Sequence, residues 1–290
     1  MTPATRSVPP LFSVLIATYN SGELLSGCLA SILGQDMDAF EILIADGGST
    51  DTTGDVIEAH APHIAYSLSR KDKGPYDAWN SLLPRASGRW LMFLGADDRL
   101  AATDTLTRLA EHCASLPQRP EELSYVFGIT EFVAGDDVIE RFGERALPDD
   151  RQDPADDFAL SHTGLLHHRD LFERFGEFST DYAIAGDAHF LLRSLRDPGT
   201  RFYHAPVVVA RMAAGGLSSG VASRVTCYRE VEQARRELGI APVRPAWLRS
   251  LQSRSAWASR IHALFGERGL LFAANIYRRL TGRPSRKHYR

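Results

Sequence analysis

The sequence has few of the features that mark secreted or membrane-spanning proteins. No apolar run approaches the roughly 20 residues that a membrane helix needs. Residues 1–10 are polar and rich in proline, and the apolar run that follows, 11–17, is too short for a signal peptide. The three cysteines lie far apart, which favours free thiols that pack in a reducing compartment over a disulfide framework: Cys28, Cys113 and Cys227. We therefore expect a cytoplasmic protein.

The sequence also lacks the glycine patterns that bind dinucleotides and nucleoside triphosphates. The stretch TYNSGE, residues 18–23, follows the first apolar run and contains neither G-x-G-x-x-G nor a P-loop pattern. There is no internal repeat and no low-complexity segment, and a composition of 44% apolar and 24% charged residues is typical of a globular chain. A dinucleotide-binding or P-loop protein is therefore excluded, and so is a disordered one.

Positive charge is scarce in most of the chain and concentrated at its end. The net charge is −3, but residues 241–290 hold ten Arg and one Lys against one Glu, a balance of +10, which leaves −13 for residues 1–240. The acidic majority makes nucleic acid an unexpected partner. In the tail, aromatic and aliphatic residues alternate with Arg at loose helical spacing, which predicts a helix that lies in a membrane interface. Packing of this tail on the catalytic domain, or on a second subunit of a homo-oligomer, stays open.

Four strand-then-helix units fill the first 100 residues. Continuous apolar runs such as FSVLIAT (12–18) and EILIAD (41–46) are typical of strands covered on both faces of a parallel sheet. A weaker strand is expected at 64–68, and another ends in the stretch RWLMFLGADDRL (89–100). Helical patterns follow each strand, the first with Asn20 as its expected cap. This alternation predicts an α/β fold with a doubly wound, mainly parallel sheet.

The second part of the chain has a different pattern. A hairpin is expected within residues 120–145, and helices are expected at about 170–175, 186–196 and from 221 to about 238, so residues 120–220 are α+β. We expect three parts: residues 1–100 and residues 101–220 as two halves of one domain, and a helical basic extension at 221–290.

Two adjacent aspartates close the fourth strand. In doubly wound sheets the ligand site lies beyond the carboxyl ends of the strands, which places Asp97 and Asp98 on one rim with residues 18–20, Asp46 and residues 71–74. Two like charges at a buried strand end are costly unless a cation neutralises them, and Mg²⁺ or Mn²⁺ binds carboxylates together with phosphate oxygens. The pair therefore predicts a clamp for a metal ion and a diphosphate. The alternative is that both aspartates cap the next helix.

Several motifs in order resemble those of glycosyltransferase family 2, which has the GT-A fold. The residues are VLIATYNSGELLSGCLASILGQ, EILIADGGSTDTT and DKGPYDAWNSLLPRASGRWLMFLGADD, followed by residues 161–193 and GGLSS (215–219). The later motifs resemble the bacterial polysaccharide-assembling branch, and the similarity covers roughly residues 11–220. The resemblance implies an inverting transfer of a hexose or related sugar from a nucleoside-diphosphate sugar to a glycan or lipid-linked acceptor, at the cytoplasmic face of the membrane.

The resemblance also implies roles for individual residues. Asp187 takes the place of the catalytic base, and His162 lies on the acceptor side. Asp97 and Asp98 hold the metal, with Ala96 where many members have the first aspartate, so which carboxylate contacts the ion stays open. The residues expected to bind the nucleotide sugar are Ala17, Thr18, Tyr19, Asp46, Lys73, Gly74, Asp77 and Asp97.

For some residues a structural role competes with these interpretations. Asp51 is expected to cap the helix after the second strand or to lie in its first turn, Asn80 is expected as a structural hydrogen-bond donor, and Trp79 and Trp90 are expected in the core. Asp77 is equally compatible with the site and with a structural role. Residues 215–219 predict either a loop that closes over donor phosphates or a plain turn.

Two other functional classes remain as alternatives. A nucleotidyltransferase can have a related sheet with metal-binding carboxylates, although such enzymes carry a glycine-rich basic signature that TYNSGELL lacks. A catalytically inactive nucleotide-sugar-binding module is less compatible with retention of all four aspartates, Asp46, Asp97, Asp98 and Asp187. The sugar, the nucleotide and the acceptor are set by pocket contacts that the sequence does not reveal.

Overall fold

We analysed the chain as a computed structural model. The structure describes residues 9–117, 122–135, 137–146, 160–216 and 221–242, together with the isolated positions 260, 269, 272, 273, 275 and 276. Most of the basic tail and residues 217–219 of the GGLSS stretch lie outside the described residues.

Nine strands of the described residues form one mixed sheet. They are β1 Phe12–Thr18, β2 Phe40–Asp46, β3 Tyr66–Ser69, β4 Trp90–Gly95, β5 Asp98–Leu100, β6 Leu123–Ala134, β7 Asp137–Phe142, β8 Leu165–His168 and β9 Thr200–Ala213. The order is β3-β2-β1-β4-β8-β6-β9-β5, and β7 pairs with β6. Strands β1 to β4 run parallel, which confirms the predicted α/β sheet, whereas β8 and β5 run antiparallel to their neighbours.

Seven helices connect the strands in the described part of the chain. They are α1 Gly22–Leu33, α2 Thr53–Ala59, α3 Pro75–Leu82, α4 Thr105–Ser115, α5 Asp170–Phe175, α6 Gly186–Ser194 and α7 Val221–Glu237. Helix α3 ends at Leu82, where a 3₁₀ turn containing Pro84 takes over, because proline cannot donate to a continuing α-helix. Among the described residues, no helix is both long and apolar enough to cross a bilayer.

Apolar side chains cover both faces of the sheet. On one face, Val14 and Ile16 of β1 belong to the cluster that includes Leu29 of α1 and Leu109 of α4. On the other face, Leu15 belongs to the cluster that includes Trp79 of α3. Continuous apolar strands are required when both faces are buried, so the parallel strands were the most predictable part of the fold. The three cysteines are free thiols, as predicted.

The expected cap of α1 is wrong. Asn20 adopts a left-handed backbone, with φ at 46°, and its Oδ1 accepts the N–H of Thr50 at 2.9 Å, so it joins two loops. Helix α1 instead begins after Ser21, and the N–H of Gly22 donates to Oδ2 of Asp51 at 3.2 Å. Asp51 lies just before α2, and its Oδ1 accepts the N–H of Thr53 at 3.0 Å, so it caps α2 as one of the two predicted structural roles.

Candidate active site

The two adjacent aspartates lie in the turn that joins β4 to β5, and their side chains have different surroundings. Asp98 is the first residue of β5, and it is only 5% exposed. Its Oδ2 accepts the N–H of Gly95 at 2.8 Å and the hydroxyl of Thr163 at 3.3 Å. Asp97 lies in the turn itself and is partly exposed. Because β5 pairs with β9, the alternative in which both aspartates cap the next helix is wrong; Asp104 precedes that helix.

Asp98 keeps one oxygen without a partner. Its Oδ1 is buried, and no described residue donates a hydrogen bond to it. Burial raises the pKa of Asp98 to about 7, and the neighbouring charge of Asp97 adds to this rise. A buried carboxylate in this state is stabilised either by a proton or by a cation.

Two glycines pack against the two oxygens of the Asp97 carboxylate, and neither position leaves room for a side chain. A Cβ at Gly95 would lie 2.7 Å from Oδ1 of Asp97, and a Cβ at Gly216 would lie 2.5 Å from Oδ2. Burial raises the pKa of Asp97 as well. The described residues contain no cluster of three or more His, Cys, Asp or Glu side chains that could hold a metal by themselves. The arrangement therefore fits a hard cation that takes one or two carboxylates and completes its shell with phosphate oxygens.

Asp46 lies at the end of β2 and is 3% exposed. Its Oδ1 accepts the Ser49 hydroxyl at 2.5 Å, and its Oδ2 accepts the Ser69 hydroxyl at 2.5 Å. The Asp46 carboxylate therefore orders the loop after β2 and joins it to the end of β3. These bonds leave Asp46 beneath the rim rather than projecting from it.

Tyr19, Gly47 and Asp72 meet on the rim above Asp46. Tyr19 is 63% exposed, and a Cβ at Gly47 would lie 3.2 Å from the Tyr19 ring and 3.0 Å from Oδ2 of Asp72. The N–H of Gly47 donates to the carbonyl of Thr18 at 2.9 Å, which fixes the loop beside the end of β1, next to Ala17. An exposed aromatic ring on the rim is suited to stacking on a flat ring. Asp72 belongs to this group but was not among the predicted binding residues.

The loop before α3 brings basic and acidic side chains to the same rim. Gly74 has φ at 122°, a region that residues with a side chain rarely adopt, and this backbone leads directly into Pro75. Lys73 is exposed, and its N–H donates to Oδ2 of Asp77 at 3.1 Å. Asp77 also pairs with Arg70 at 3.1 Å, and the hydrogen bond from Arg70 lowers the pKa of Asp77.

The predicted structural residues of α3 do pack in the interior. The side-chain amide of Asn80 donates to the carbonyl of Phe178 at 2.8 Å and accepts its N–H at 3.0 Å. Trp79 is buried and its Nε1 donates to the carbonyl of Leu94 at 3.3 Å, and Trp90 is buried in β4. These contacts join α3 to β4 and to the chain before α6.

Asp187 lies in the first turn of α6 and is partly exposed. Its Oδ1 accepts the N–H of Ala188 at 2.8 Å and lies 3.0 Å from the hydroxyl of Tyr76. No donor among the described residues reaches Oδ2. One oxygen of this carboxylate is therefore fixed by the protein, and the other is available to a ligand.

His162 lies in the 3₁₀ turn before β8, between the two acidic groups. Its ring stacks on Phe93 with centroids 5.4 Å apart, and its Nε2 is buried without a hydrogen-bond partner among the described residues. Burial lowers the pKa of His162, and the charge of Asp187 partly offsets this effect. The next residue, Thr163, donates to Asp98. Residues 162–163 therefore connect the aspartate turn with the surroundings of Asp187.

Three residues of this arrangement were missed by sequence analysis besides Asp72. Thr163 binds Asp98, Tyr76 lies beside Asp187, and Glu230 of α7 binds the chain that leads into α6. Tyr76 and Thr163 lie next to recognised motifs, whereas Glu230 carries no local signal.

The chain is similar in sequence to known glycosyltransferases. Residues 13–118 match the family described as glycosyl transferase family 2. The chain is 34% identical over 225 residues to a PGL/p-HBAD biosynthesis glycosyltransferase of Mycobacterium bovis (strain BCG / Pasteur 1173P2), covering 74% of this chain and 82% of that protein. It is 29% identical over 157 residues to a GalNAc(5)-diNAcBac-PP-undecaprenol beta-1,3-glucosyltransferase of Campylobacter jejuni, covering 52% of this chain and 48% of that protein.

Two solved structures share the fold. S. aureus TarS 1-349 in complex with UDP-GlcNAc superposes with a TM-score of 0.64 at 18% identity, covering 92% of this chain and 80% of that chain. The mannosyltransferase PcManGT from Pyrobaculum calidifontis, in complex with GDP-Man and Mn2+, gives a TM-score of 0.58 at 22% identity, covering 97% of this chain and 77% of that chain. At these identities the likeness concerns the fold, and it agrees with the predicted GT-A architecture.

Proposed function

Because the chain belongs to glycosyltransferase family 2, we propose that it transfers a sugar from a nucleoside-diphosphate sugar to a hydroxyl of a glycan or lipid-linked acceptor, with inversion at the anomeric carbon. One observation carries this proposal. Thr163 of the turn at residues 162–164 donates to Asp98, and the ring of His162 packs against Phe178 with centroids 5.6 Å apart. Phe178 in turn packs against Tyr76, whose hydroxyl lies 3.0 Å from Oδ1 of Asp187. A displacement reaction needs a site for the leaving group and a base, and these two are thus connected through the same turn.

The nucleotide is proposed to bind along the rim formed by the first three strands. The exposed Tyr19 ring is suited to stack on the base, with Ala17 and Thr18 as its floor. Asp72 offers carboxylate oxygens near this ring for base or ribose donors, and Asp46 contributes from beneath by holding the loop through Ser49 and Ser69. Lys73, Gly74 and Asp77 border the diphosphate end, where Lys73 supplies positive charge.

Asp97 is proposed as the ligand of a divalent cation, either Mg²⁺ or Mn²⁺. Its carboxylate is partly exposed and packs against Gly95 and Gly216, whereas Asp98 supports the turn from beneath and adds charge. When bound, the cation neutralises the charge that develops on the departing diphosphate. The mannosyltransferase of similar fold was solved with Mn2+.

Asp187 is proposed as the base. Its free Oδ2 accepts the proton of the acceptor hydroxyl while the acceptor oxygen forms a bond to the anomeric carbon. The bond from that carbon to the diphosphate breaks in the same displacement, and the electron pair leaves with the nucleoside diphosphate. Attack from the side opposite the leaving group inverts the configuration. His162 lies near this base and is proposed to contact the acceptor.

The acceptor is proposed to be a glycan carried on a lipid at the cytoplasmic side of a membrane. The Campylobacter relative is named for a sugar chain on undecaprenyl diphosphate, and the mycobacterial relative for PGL/p-HBAD biosynthesis. The basic charge of residues 241–290 suits contact with an anionic membrane surface. The enzyme would then act as a peripheral membrane protein.

The test is a binding and turnover series that separates this function from its alternatives. UDP, GDP, CDP and dTDP are screened by thermal shift with and without Mn²⁺, because a ligand at 100 times its Kd stabilises the native state by about 2.7 kcal/mol. The matching nucleotide sugars are then assayed for release of nucleoside diphosphate. Release of pyrophosphate from a nucleoside triphosphate and a sugar phosphate would instead identify a nucleotidyltransferase. Binding without turnover for any acceptor would identify an inactive module.

A further inference from the structure

The backbone that leads into α6 is bound by a carboxylate from another helix. The N–H groups of Ala183, Ile184 and Ala185 donate to Glu230 of α7 at 2.9, 2.8 and 2.8 Å. Helix α6 has no side-chain cap of its own. Glu230 therefore supplies the acceptor oxygens for the turn from which Asp187 projects, although it lies 43 positions further along the chain than Asp187.

The same turn is held from the opposite side by α3. The hydroxyl of Tyr76 donates to the carbonyl of Ile184 at 2.5 Å and lies 3.0 Å from Oδ1 of Asp187. Tyr76 is buried and packs edge-on against Trp79, with ring centroids 5.7 Å apart. Ile184 thus donates its N–H to Glu230, and its carbonyl accepts the hydroxyl of Tyr76.

Helix α7 is itself fixed to this region. Val231 and Ala234 of α7 pack in an apolar cluster with Ala185 and Leu192. The hydroxyl of Tyr182 donates to Glu237 at 2.6 Å. Glu230 therefore projects from a helix that is bound on the same face by apolar packing and by a second hydrogen bond.

We propose that Glu230 and Tyr76 are positioning residues that fix the Asp187 carboxylate for proton transfer. This inference rests on the proposed function of Asp187 as the base. The Tyr76 hydroxyl and the Ala188 N–H both lie against Oδ1 of Asp187, so Oδ2 is the oxygen that faces the acceptor. Glu230 restrains the backbone that determines where the carboxylate lies. Carboxylates bound by several backbone N–H groups form strong, charge-assisted hydrogen bonds.

The expected consequence falls on the chemical step and not on donor binding. A displacement of a catalytic group by about 1 Å can lower the rate by about 10²-fold. Glu230 and Tyr76 contact neither the turn at Asp97 nor the loop at Gly47 in any recorded hydrogen bond. Their loss should therefore lower kcat while KM for the nucleotide sugar stays the same.

The variants Glu230→Gln, Glu230→Ala and Tyr76→Phe test this, with the exposed Glu173→Gln on α5 as a control for charge. Glutamine keeps one acceptor oxygen and alanine keeps none. We expect kcat to fall by about 10-fold in Glu230→Gln and Tyr76→Phe and by about 100-fold in Glu230→Ala. KM for the donor and the thermal shift with UDP and Mn²⁺ should change by less than twofold, and Glu173→Gln should behave as the wild type.

Amide hydrogen exchange of residues 183–185 provides a second measurement that does not need activity. Exchange should be faster in Glu230→Gln than in the wild type and faster again in Glu230→Ala, because these N–H groups lose first one and then both acceptor oxygens. An unchanged kcat together with faster exchange would overturn the positioning role. Unchanged exchange in Glu230→Ala would overturn the contact itself. A wild type that transfers no sugar from any donor would refute the proposed function, and the exchange rates would still decide whether Glu230 holds the turn.

Discussion

The N–H of Gly95 donates to Oδ2 of Asp98 across a turn that contains Asp97. The second aspartate thus closes the turn that presents the first one to the rim. Two carboxylates that are adjacent in sequence therefore have separate tasks, and their substitutions should have separate effects.

Asp97→Asn should remove the part of the UDP thermal shift that depends on Mn²⁺ and lower turnover by at least about 10²-fold, the usual size for a group that stabilises a leaving charge. The melting temperature without ligand should not fall, because the substitution removes a partly exposed charge that lies beside the buried carboxyl of Asp98. Differential scanning fluorimetry and nucleotide release measure these two effects. Full activity of the wild type in excess chelator would contradict the metal-binding role.

Asp98→Ala should lose both function and stability. The N–H of Gly95 and the hydroxyl of Thr163 would lose their acceptor, and an unsatisfied buried donor costs about 1–3 kcal/mol. Urea denaturation measures this cost. If the free energy of unfolding is unchanged, the turn does not depend on Asp98 in the way that the hydrogen bonds indicate.

Gly216→Ala should weaken donor binding, since its Cβ would lie 2.5 Å from Oδ2 of Asp97 and displace the carboxylate. Gly54→Ala is the matched control, because no atom lies within 4 Å of a Cβ there. Isothermal titration with UDP and Mn²⁺ compares the two. We expect a loss of about 10-fold or more in affinity for the first variant only, equivalent to about 1.4 kcal/mol. Equal affinities would show that the space beside Asp97 is not used.

Asp187→Asn should lower kcat by about 10²-fold or more with little change in KM for the donor, because an amide side chain cannot take the proton from the acceptor hydroxyl. The side chain keeps its size and can still accept the N–H of Ala188. Steady-state kinetics at saturating acceptor measure the effect. An unchanged kcat would move the role of base to another residue.

His167→Phe should make the protein less sensitive to acid. His167 is 0% exposed, among the rings of Phe93 and Tyr125, and burial lowers its pKa well below the ordinary 6.5. Below pH 6.5 the unfolded chain binds a proton that the folded chain does not, so stability falls as pH drops from 6.5 towards the folded pKa. One such group contributes a slope of up to about 1.4 kcal/mol per pH unit.

Urea denaturation between pH 7.5 and 5 measures this slope in the wild type and in His167→Phe. The exposed His63→Gln serves as the control. We expect the slope to decrease in His167→Phe only. The same slope in all three proteins would mean that His167 gains its proton without cost in the folded state.

Removal of residues 243–290 should reduce co-sedimentation with anionic vesicles. Residues 241–290 carry a net charge of +10. Attraction of this charge to an anionic surface weakens as the salt concentration rises. Neutral vesicles and 0.5 M salt are the controls. Equal sedimentation of the truncated chain would exclude the tail as the anchor.

The parts of the fold that depend on local pattern could be predicted. Buried parallel strands such as Phe12–Thr18 carry continuous apolar runs, and helices such as Asp170–Phe175 carry their own periodicity. The expectation for Asn20 failed because its side chain bonds across to Thr50, a contact between two loops that no local rule contains. Pattern also placed Asp97 and Asp98 correctly at a strand end.

Which aspartate faces the rim could not be predicted, since it depends on the pairing of β5 with β9, whose strands are far apart in sequence. Glu230 was unpredictable for the same reason. A glutamate in a polar helix resembles any solvated residue until the helix packs against the turn that it binds. The expected domain boundaries at 100 and 220 remain a prediction.

The contacts of Ile184 also limit how this enzyme can be recombined with its relatives. The family match ends at residue 118, which makes the following residues an obvious place to join the first part of one enzyme to the second part of another. Such a chimera would take Tyr76 from one parent and Ile184 with Glu230 from the other. A compatible pair of parents must therefore agree in the first turn of α3 as well as in α6 and α7, so such a chimera keeps the contacts of Ile184 only when the first parent carries this tyrosine.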